Sequence, residues 1–242
     1  MTSPLFVDIY AGDIAHPNWA NVGKQSGFFG AIIKATEGLY YFPDWFKTNW
    51  ALLGSDSVTG REYGNDWFRG AYHFLKFTQD GKAQAEYYLN AVEEAGSWGK
   101  GDIWPIVDVE LGGEKNSNQN ATAAQIIDCT TAWAEHVRAQ TGRQVMLYGN
   151  GAMRDRHITD RMGCDWLWLP RYTATLPKEI YERAGWSIDR LVLWQYCGDG
   201  TAYLAGYPRE VPDFGKVDIS ALVLDGGITR LRSLLWAEDP AQ

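Results

Sequence analysis

Eight short apolar segments recur along the chain, and their number limits what it can fold into. They are LFVDIY (5–10), FFGAIIKAT (28–36), RGAYHFL (69–75), DIWPIVDVE (102–110), QVMLYG (144–149), DWLWLPRY (165–172), RLVLWQY (190–196) and KVDIS (216–220). Each has the length and residue types of a β-strand. Helical patterns separate the early ones. PDWFKTNWALLGS opens on Pro-Asp, and QDGKAQAEYYLNAVEEAG carries Ala85, Tyr88, Leu89 and Val92 on one face. TAAQIIDCTTAWAEHVRAQTG is the longest pattern and stops at Gly142. NGAMRDRHITDRMG is short and polar, LPKEIYERAG suits a brief helix, and residues 198–215 read as loop. The tail SALVLDGGITRLRSLLW predicts a last helix interrupted by Gly226 and Gly227. Strand–helix alternation implies right-handed βαβ units and a parallel sheet. Eight strands in 242 residues imply a closed barrel. Because the helices fade after Trp168, the expected α/β fold is an irregular TIM-like barrel. With no linker and no repeat, residues 1–242 are read as one catalytic domain.

Bulk properties narrow the function. Apolar residues make up 45% and charged residues 21%, enough for a large core. A net charge of −8 argues against nucleic-acid binding through a basic footprint. No stretch reaches the roughly 18 apolar residues of a membrane span, so no membrane insertion is expected. The N-terminal run MTSPLFVDIYAGD has neither a basic region nor a long apolar region, which predicts synthesis in the cytoplasm without a signal peptide. Cys129, Cys164 and Cys197 form no disulfide framework and have no zinc spacing, and His16, His73, His136 and His157 form no paired metal motif. The expectation is no metal and no cofactor.

Barrel sites lie where the strands end. In WPIVDVEL, Ile106, Asp108 and Glu110 alternate onto one face of a strand. Two acids beside a core residue are costly to bury, which marks a candidate site. Asp8 and Asp218 occupy matching positions on the first and last strands, which are neighbours in a closed barrel. Asp13, in a loop, has an even claim to a role. The other strand ends give Tyr10, Lys34, Glu37, Tyr72, His73, Tyr148, Trp168, Arg171, Tyr172, Gln195 and Tyr196 as substrate-binding candidates. For His73 a hydrogen-bonded structural role competes with substrate contact. Lys34 and Glu37 suit an ion pair at the mouth as well as a ligand contact, and Gln195 suits a donor to ligand or to a neighbouring acid. Trp45, Trp50 and Trp133 lie on helical patterns and read as core. A carboxylate cluster fits glycoside hydrolysis and also fits a Mg²⁺ or Ca²⁺ site. Aromatic residues, 14% of the chain and crowded at strand ends, suit walls for a sugar.

The ordered fragments FVDIY, AIIKATEG, AYHF, PIVDVE, LYG, LWLPRY, LWQY and KVDIS resemble glycoside hydrolase family 25 over residues 5 to 222. The resemblance implies a (β/α)5(β)3 barrel and an N-acetylmuramidase, a lysozyme cleaving the β-1,4 bond from N-acetylmuramic acid to N-acetylglucosamine in peptidoglycan. Glu110 would be the general acid/base, accompanied by Asp108, Asp8 and Asp218. It suggests retention of configuration, with the substrate's own 2-acetamido group attacking the anomeric carbon. One departure stands out: DIYAGD has Tyr10 where the family has a short residue with a Gln soon after. The expected partner is the peptidoglycan glycan strand, met by a monomer at the bacterial wall. Unpaired cysteines and the N-terminus resemble a bacteriophage endolysin. Two other readings stay open: a metal-dependent barrel hydrolase using the same acids, and a glycan-binding barrel without catalysis.

Overall fold

Side chains on successive strand residues point to opposite faces, and in this chain both faces are apolar for most of each strand, so the sheet must be covered twice. The computed structural model describes residues 3–25, 27–55, 67–176 and 185–237. Strands β1 (Leu5–Ile9), β2 (Phe28–Glu37), β3 (Phe68–Phe74), β4 (Ile106–Asp108), β5 (Met146–Tyr148), β6 (Trp166–Pro170) and β7 (Leu191–Gly198) pair in chain order, each parallel to the one before. The two-residue β8 (Thr201–Ala202) forms a hairpin with β7 outside the ring. Strand β9 (Asp218–Leu222) lies between β7 and β1, antiparallel to both, and closes the barrel.

Helices α1 (Trp19–Lys24), α2 (Asp44–Leu53), α3 (Gly81–Glu94), α4 (Ala123–Thr141) and α5 (Gly151–Asp155) follow β1 to β5 in turn. Among the described residues no α-helix lies between β6 and β7 or between β7 and β9; the brief helix expected over LPKEIYERAG falls mostly outside them. Local chemistry sets the helix ends. Thr122 and Gln125 form a reciprocal capping box on α4, and Gly142 ends it at φ 68°, a left-handed conformation that suits glycine. Asp80 caps α3 by accepting from the Ala83 N–H.

Two departures from the sequence reading have physical causes. Residues 220–222 of the tail pair in β9 instead of starting a helix, and Gly226 (φ 80°) turns the chain so that α6 (Gly227–Ala237) begins after the strand. The last strand also reverses direction. A parallel entry after β7 would need a crossover, commonly a helix, and the described segment between β7 and β9 holds only β8 and loop.

The apolar layers sit inside and outside the ring. Val7, Ile9, Ile33, Val107, Val109 and Leu147 face outward against Phe46, Trp50, Tyr88 and Trp133 of the helices. Phe6, Ile32, Phe68, Ile106, Met146, Trp166 and Leu222 fill the interior, with Leu231 and Leu235 of α6 in the same cluster. That plug leaves only the mouth of the barrel for polar side chains.

Candidate active site

The inward series that begins in the plug ends in acids. On β1 it runs Phe6, then Asp8; on β4 it runs Ile106, Asp108 and then Glu110 just past the strand. Asp218 is the first residue of β9, not its last, and the reversed sense of that strand brings it to the same mouth, directly opposite Asp8 in register. A cleft of about 310 Å³ opens there, with walls that include Asp8, Asp108, Glu110, Asp218, Lys34 and Tyr148. Asp13 and Asp199 complete six carboxylates against a single lysine among the described lining residues.

Burial and mutual charge decide how these acids ionise. Glu110 is pushed up to about 7, by burial first and then by the Asp218 charge, with Lys34 opposing. Asp218 rises to about 6 through burial, against the backbone hydrogen bond from Asp199 (2.8 Å). Asp8 and Asp108 are held well above the usual carboxylate range, again by burial first, then by Asp218 and Glu110 respectively. The buried Oδ1 of Asp108 has no hydrogen-bond partner among the described residues. A group kept protonated near neutral pH beside ionisable neighbours can serve as a proton donor.

One amide organises the far side of the cleft. Gln195 Nε2 donates to Asp8 Oδ1 (3.0 Å), Asp8 Oδ2 (3.2 Å) and Asp218 Oδ2 (3.2 Å). Its Oε1 accepts from the hydroxyls of Tyr148 (2.9 Å) and Tyr172 (2.8 Å). Tyr148 packs edge-on to Trp168, their ring centroids 4.5 Å apart, and Trp168 Nε1 donates to Ser220 Oγ (2.8 Å).

Of the candidates read from sequence, Tyr10, Lys34, Tyr72, Tyr148 and Trp168 line the cleft with the four acids. Tyr172 stands half-exposed beside it, tied to Gln195. Glu37 lies behind Lys34. Burial works against its ionisation, but hydrogen bonds from Lys34 and Lys76 hold its carboxyl at about 2. Arg171 is not among the lining residues; its backbone N–H donates to the Gln195 carbonyl.

His73 and Tyr196 are corrections: neither reaches the cleft, because each follows an inward-facing neighbour, Tyr72 or Gln195, and so faces outward. His73 is fully buried, accepts at Nδ1 from Thr36 Oγ1 (2.7 Å), donates from Nε2 to Gln84 Oε1 (3.2 Å) and stacks on Trp133. This tautomer follows from its partners. Burial holds its pKa down at about 3. The Tyr196 hydroxyl donates to the Pro208 carbonyl (3.0 Å) in the outer layer. Cys197 lies in that layer too, where burial pushes its thiol up to about 11.

Asp199 is the lining acid that sequence reading missed. It sits at φ 49° in the turn that follows β7. Its one signal was the Asp-Gly pair of CGDGT, which marks a turn but not what the turn faces.

The fold and site together define a β/α barrel protein with a carboxylate-lined mouth. The sequence model of the glycosyl hydrolases family 25 matches residues 7–203, and the chain belongs to that family. Among relatives, the N,O-diacetylmuramidase of Chalaropsis sp is 34% identical over 122 residues, 49% of this chain and 54% of that protein. Lysozyme M1 of Streptomyces globisporus is 28% identical over 134 residues, 54% of this chain and 41% of that one. The chain spans about half the length of the curated relatives it matches. Its fold is that of a family 25 glycosyl hydrolase from Bacillus anthracis, with a TM-score of 0.71 at 22% identity, covering 97% of this chain and 94% of that one. A GH25 lysozyme from Aspergillus fumigatus gives a TM-score of 0.71 at 20% identity, covering 97% and 99%.

Proposed function

We propose that this chain is a muramidase that hydrolyses the β-1,4 bond between N-acetylmuramic acid and N-acetylglucosamine in peptidoglycan. The observation that carries the reading is Glu110, a half-buried acid with a pKa of about 7 in a cleft shared with Asp8, Asp108 and Asp218. The muramidase and lysozyme names of the relatives point the same way.

In this reading Glu110 gives its proton to the glycosidic oxygen as the bond to the anomeric carbon breaks. The substrate's 2-acetamido oxygen closes onto that carbon, and the Asp108 carboxyl at the cleft wall accepts the acetamido N–H. Water then attacks the same carbon and loses a proton to the Glu110 carboxylate as the bond to the acetamido oxygen breaks, which restores the 2-acetamido group and the acid with net retention. The Tyr72, Tyr148 and Trp168 rings of the cleft wall suit the apolar faces of the sugar.

Digestion of purified peptidoglycan, with mass spectrometry of the new reducing ends, tests the assignment. Muramic acid at those ends is the expected result. Glucosamine ends would reassign the bond, and absence of cleavage by folded protein would overturn the reading.

A further inference from the structure

We infer that Gln195 is a positioning residue for the proposed reaction: its one amide group bridges Asp8 and Asp218, and the hydroxyls of Tyr148 and Tyr172 lock that amide in a single orientation. The inference rests on the muramidase reading only for its kinetic consequence; the hydrogen-bonding role stands on geometry.

The orientation follows from chemistry. The four carboxyl oxygens of Asp8 and Asp218 outnumber any proton the pair holds, so the side of the amide that faces them is the NH₂, donating to three of those oxygens. The opposite side is then Oε1, and both phenols donate to it. A flipped amide would set its oxygen against two carboxyl groups and its NH₂ against two phenol protons. Gln195 is fully buried, so water does not compete for these bonds. Each phenol has one proton and gives it to Gln195, so Tyr148 meets a ligand in the cleft as an acceptor.

The bridge acts on a crowded pair. Asp8 and Asp218 are opposed in register, and each raises the cost of ionising the other. Asp13 beyond β1, Asp108 and Glu110 of the β4 end, and Asp199 after β7 add negative charge around them. Tyr72 and Tyr172 stand near the pair as neutral groups, and Cys197, also neutral, lies behind it in the outer layer. Lys34 is the cation of the same cleft wall. The Gln195 N–H bonds stabilise the ionised form of Asp8. Without them the pair should hold its proton to higher pH.

Carboxyl ¹³C NMR titration reads the pair whatever the protein does to a glycan. In Gln195→Met, matched in length but without a donor, the titration of Asp8 and Asp218 should move up by about one to two pH units, the equivalent of a lost hydrogen bond to a charged group. Where Gln195→Met fails to fold by circular dichroism, Gln195→Asn, too short to bridge both acids, takes its place. Gln195→Glu supplies the kinetic test, because its carboxyl can donate only when protonated. Its kcat on peptidoglycan should fall ~10- to 100-fold at neutral pH and recover toward wild type as pH is lowered, whereas Gln195→Met should stay low at every pH. An unmoved titration in a folded variant, or equal impairment of both variants at all pH values, would overturn the inference. Loss of the muramidase reading alone would show as inactive wild type with the titration shift intact.

Discussion

Asp8 and Asp218 face one another directly across the antiparallel β1–β9 pair. Like charges in opposed positions destabilise a sheet, and burial adds to the cost of ionising either one. A pair that local physics disfavours, placed at the mouth of a barrel beside two further acids, has the character of a functional site.

Glu110→Gln keeps the size of the side chain and removes the transferable proton. It is expected to lower kcat by on the order of 10²–10⁴, the usual range for a positioned acid, with glycan affinity retained. Asp108→Asn should slow turnover without abolishing binding, since charge stabilisation acts mainly in the transition state. Turnover and affinity measured on folded variants decide. Near-wild-type turnover by Glu110→Gln would move the acid role to Asp8 or Asp218.

The pH dependence of turnover follows from the same group. A proton donor works only while protonated, and Glu110 titrates at about 7. The kcat profile should therefore fall as pH rises past about 7, and the midpoint belongs to the coupled carboxyl cluster, not to Glu110 alone. A profile flat into the alkaline range would contradict a carboxyl donor.

Stability should run in the same sense. The folded-state pKa of Glu110 is raised from 4.5 to about 7. Its stabilising contribution is fully present below the unfolded value and is lost as pH climbs through the folded one. At 1.36 kcal/mol per unit, that shift sets a ceiling of ~3 kcal/mol between about pH 4.5 and 7. Thermal melts at pH 5 and pH 8 should find Glu110→Gln more stable than wild type at pH 8, with the gap closing at pH 5. A constant difference between the two proteins would count against the raised pKa.

Replacing His73 or Tyr196 should affect stability without affecting chemistry. His73→Ala leaves Thr36 Oγ1 and Gln84 Oε1 without their ring partner and opens space beside Trp133. A loss of about 2–4 kcal/mol is expected. Tyr196→Phe removes only the bond to the Pro208 carbonyl, at a cost of about 1 kcal/mol. Denaturant unfolding gives the stabilities, and kcat and KM should stay close to wild type. A large change in KM from either variant would place that side chain in ligand contact after all.

Chelation provides a separate check. Among the described residues no group of three His, Cys, Asp or Glu side chains is arranged to hold a metal ion. Hydrolysis should survive exhaustive EDTA treatment. A loss restored by Mg²⁺, Ca²⁺ or Zn²⁺ would favour the metal-dependent hydrolase.

The sequence by itself determined which residues share a face. The two-residue period of a strand ties Asp108 and Glu110 to Ile106, and Asp8 to Phe6, whatever the rest of the chain does. It also determined the eight strands of the ring and the helices after the early strands, though not the two-residue β8, which falls in a stretch read as loop. It could not say which of two adjacent residues turns inward. Tyr72 and His73, like Gln195 and Tyr196, were both candidates, and closure of the ring turned only the first of each pair inward, Tyr72 into the cleft wall and Gln195 beneath it against Asp8 and Asp218. The direction of β9 was likewise undetermined, because a strand's apolar pattern reads the same in either sense. Tertiary structure alone placed Asp218 at the start of an antiparallel strand opposite Asp8, turned Asp199 toward them, and set Gln195 between the two acids and two phenols. Those relations depend on contacts up to 187 residues apart, which no local propensity encodes, and they form only when the last strand closes the barrel.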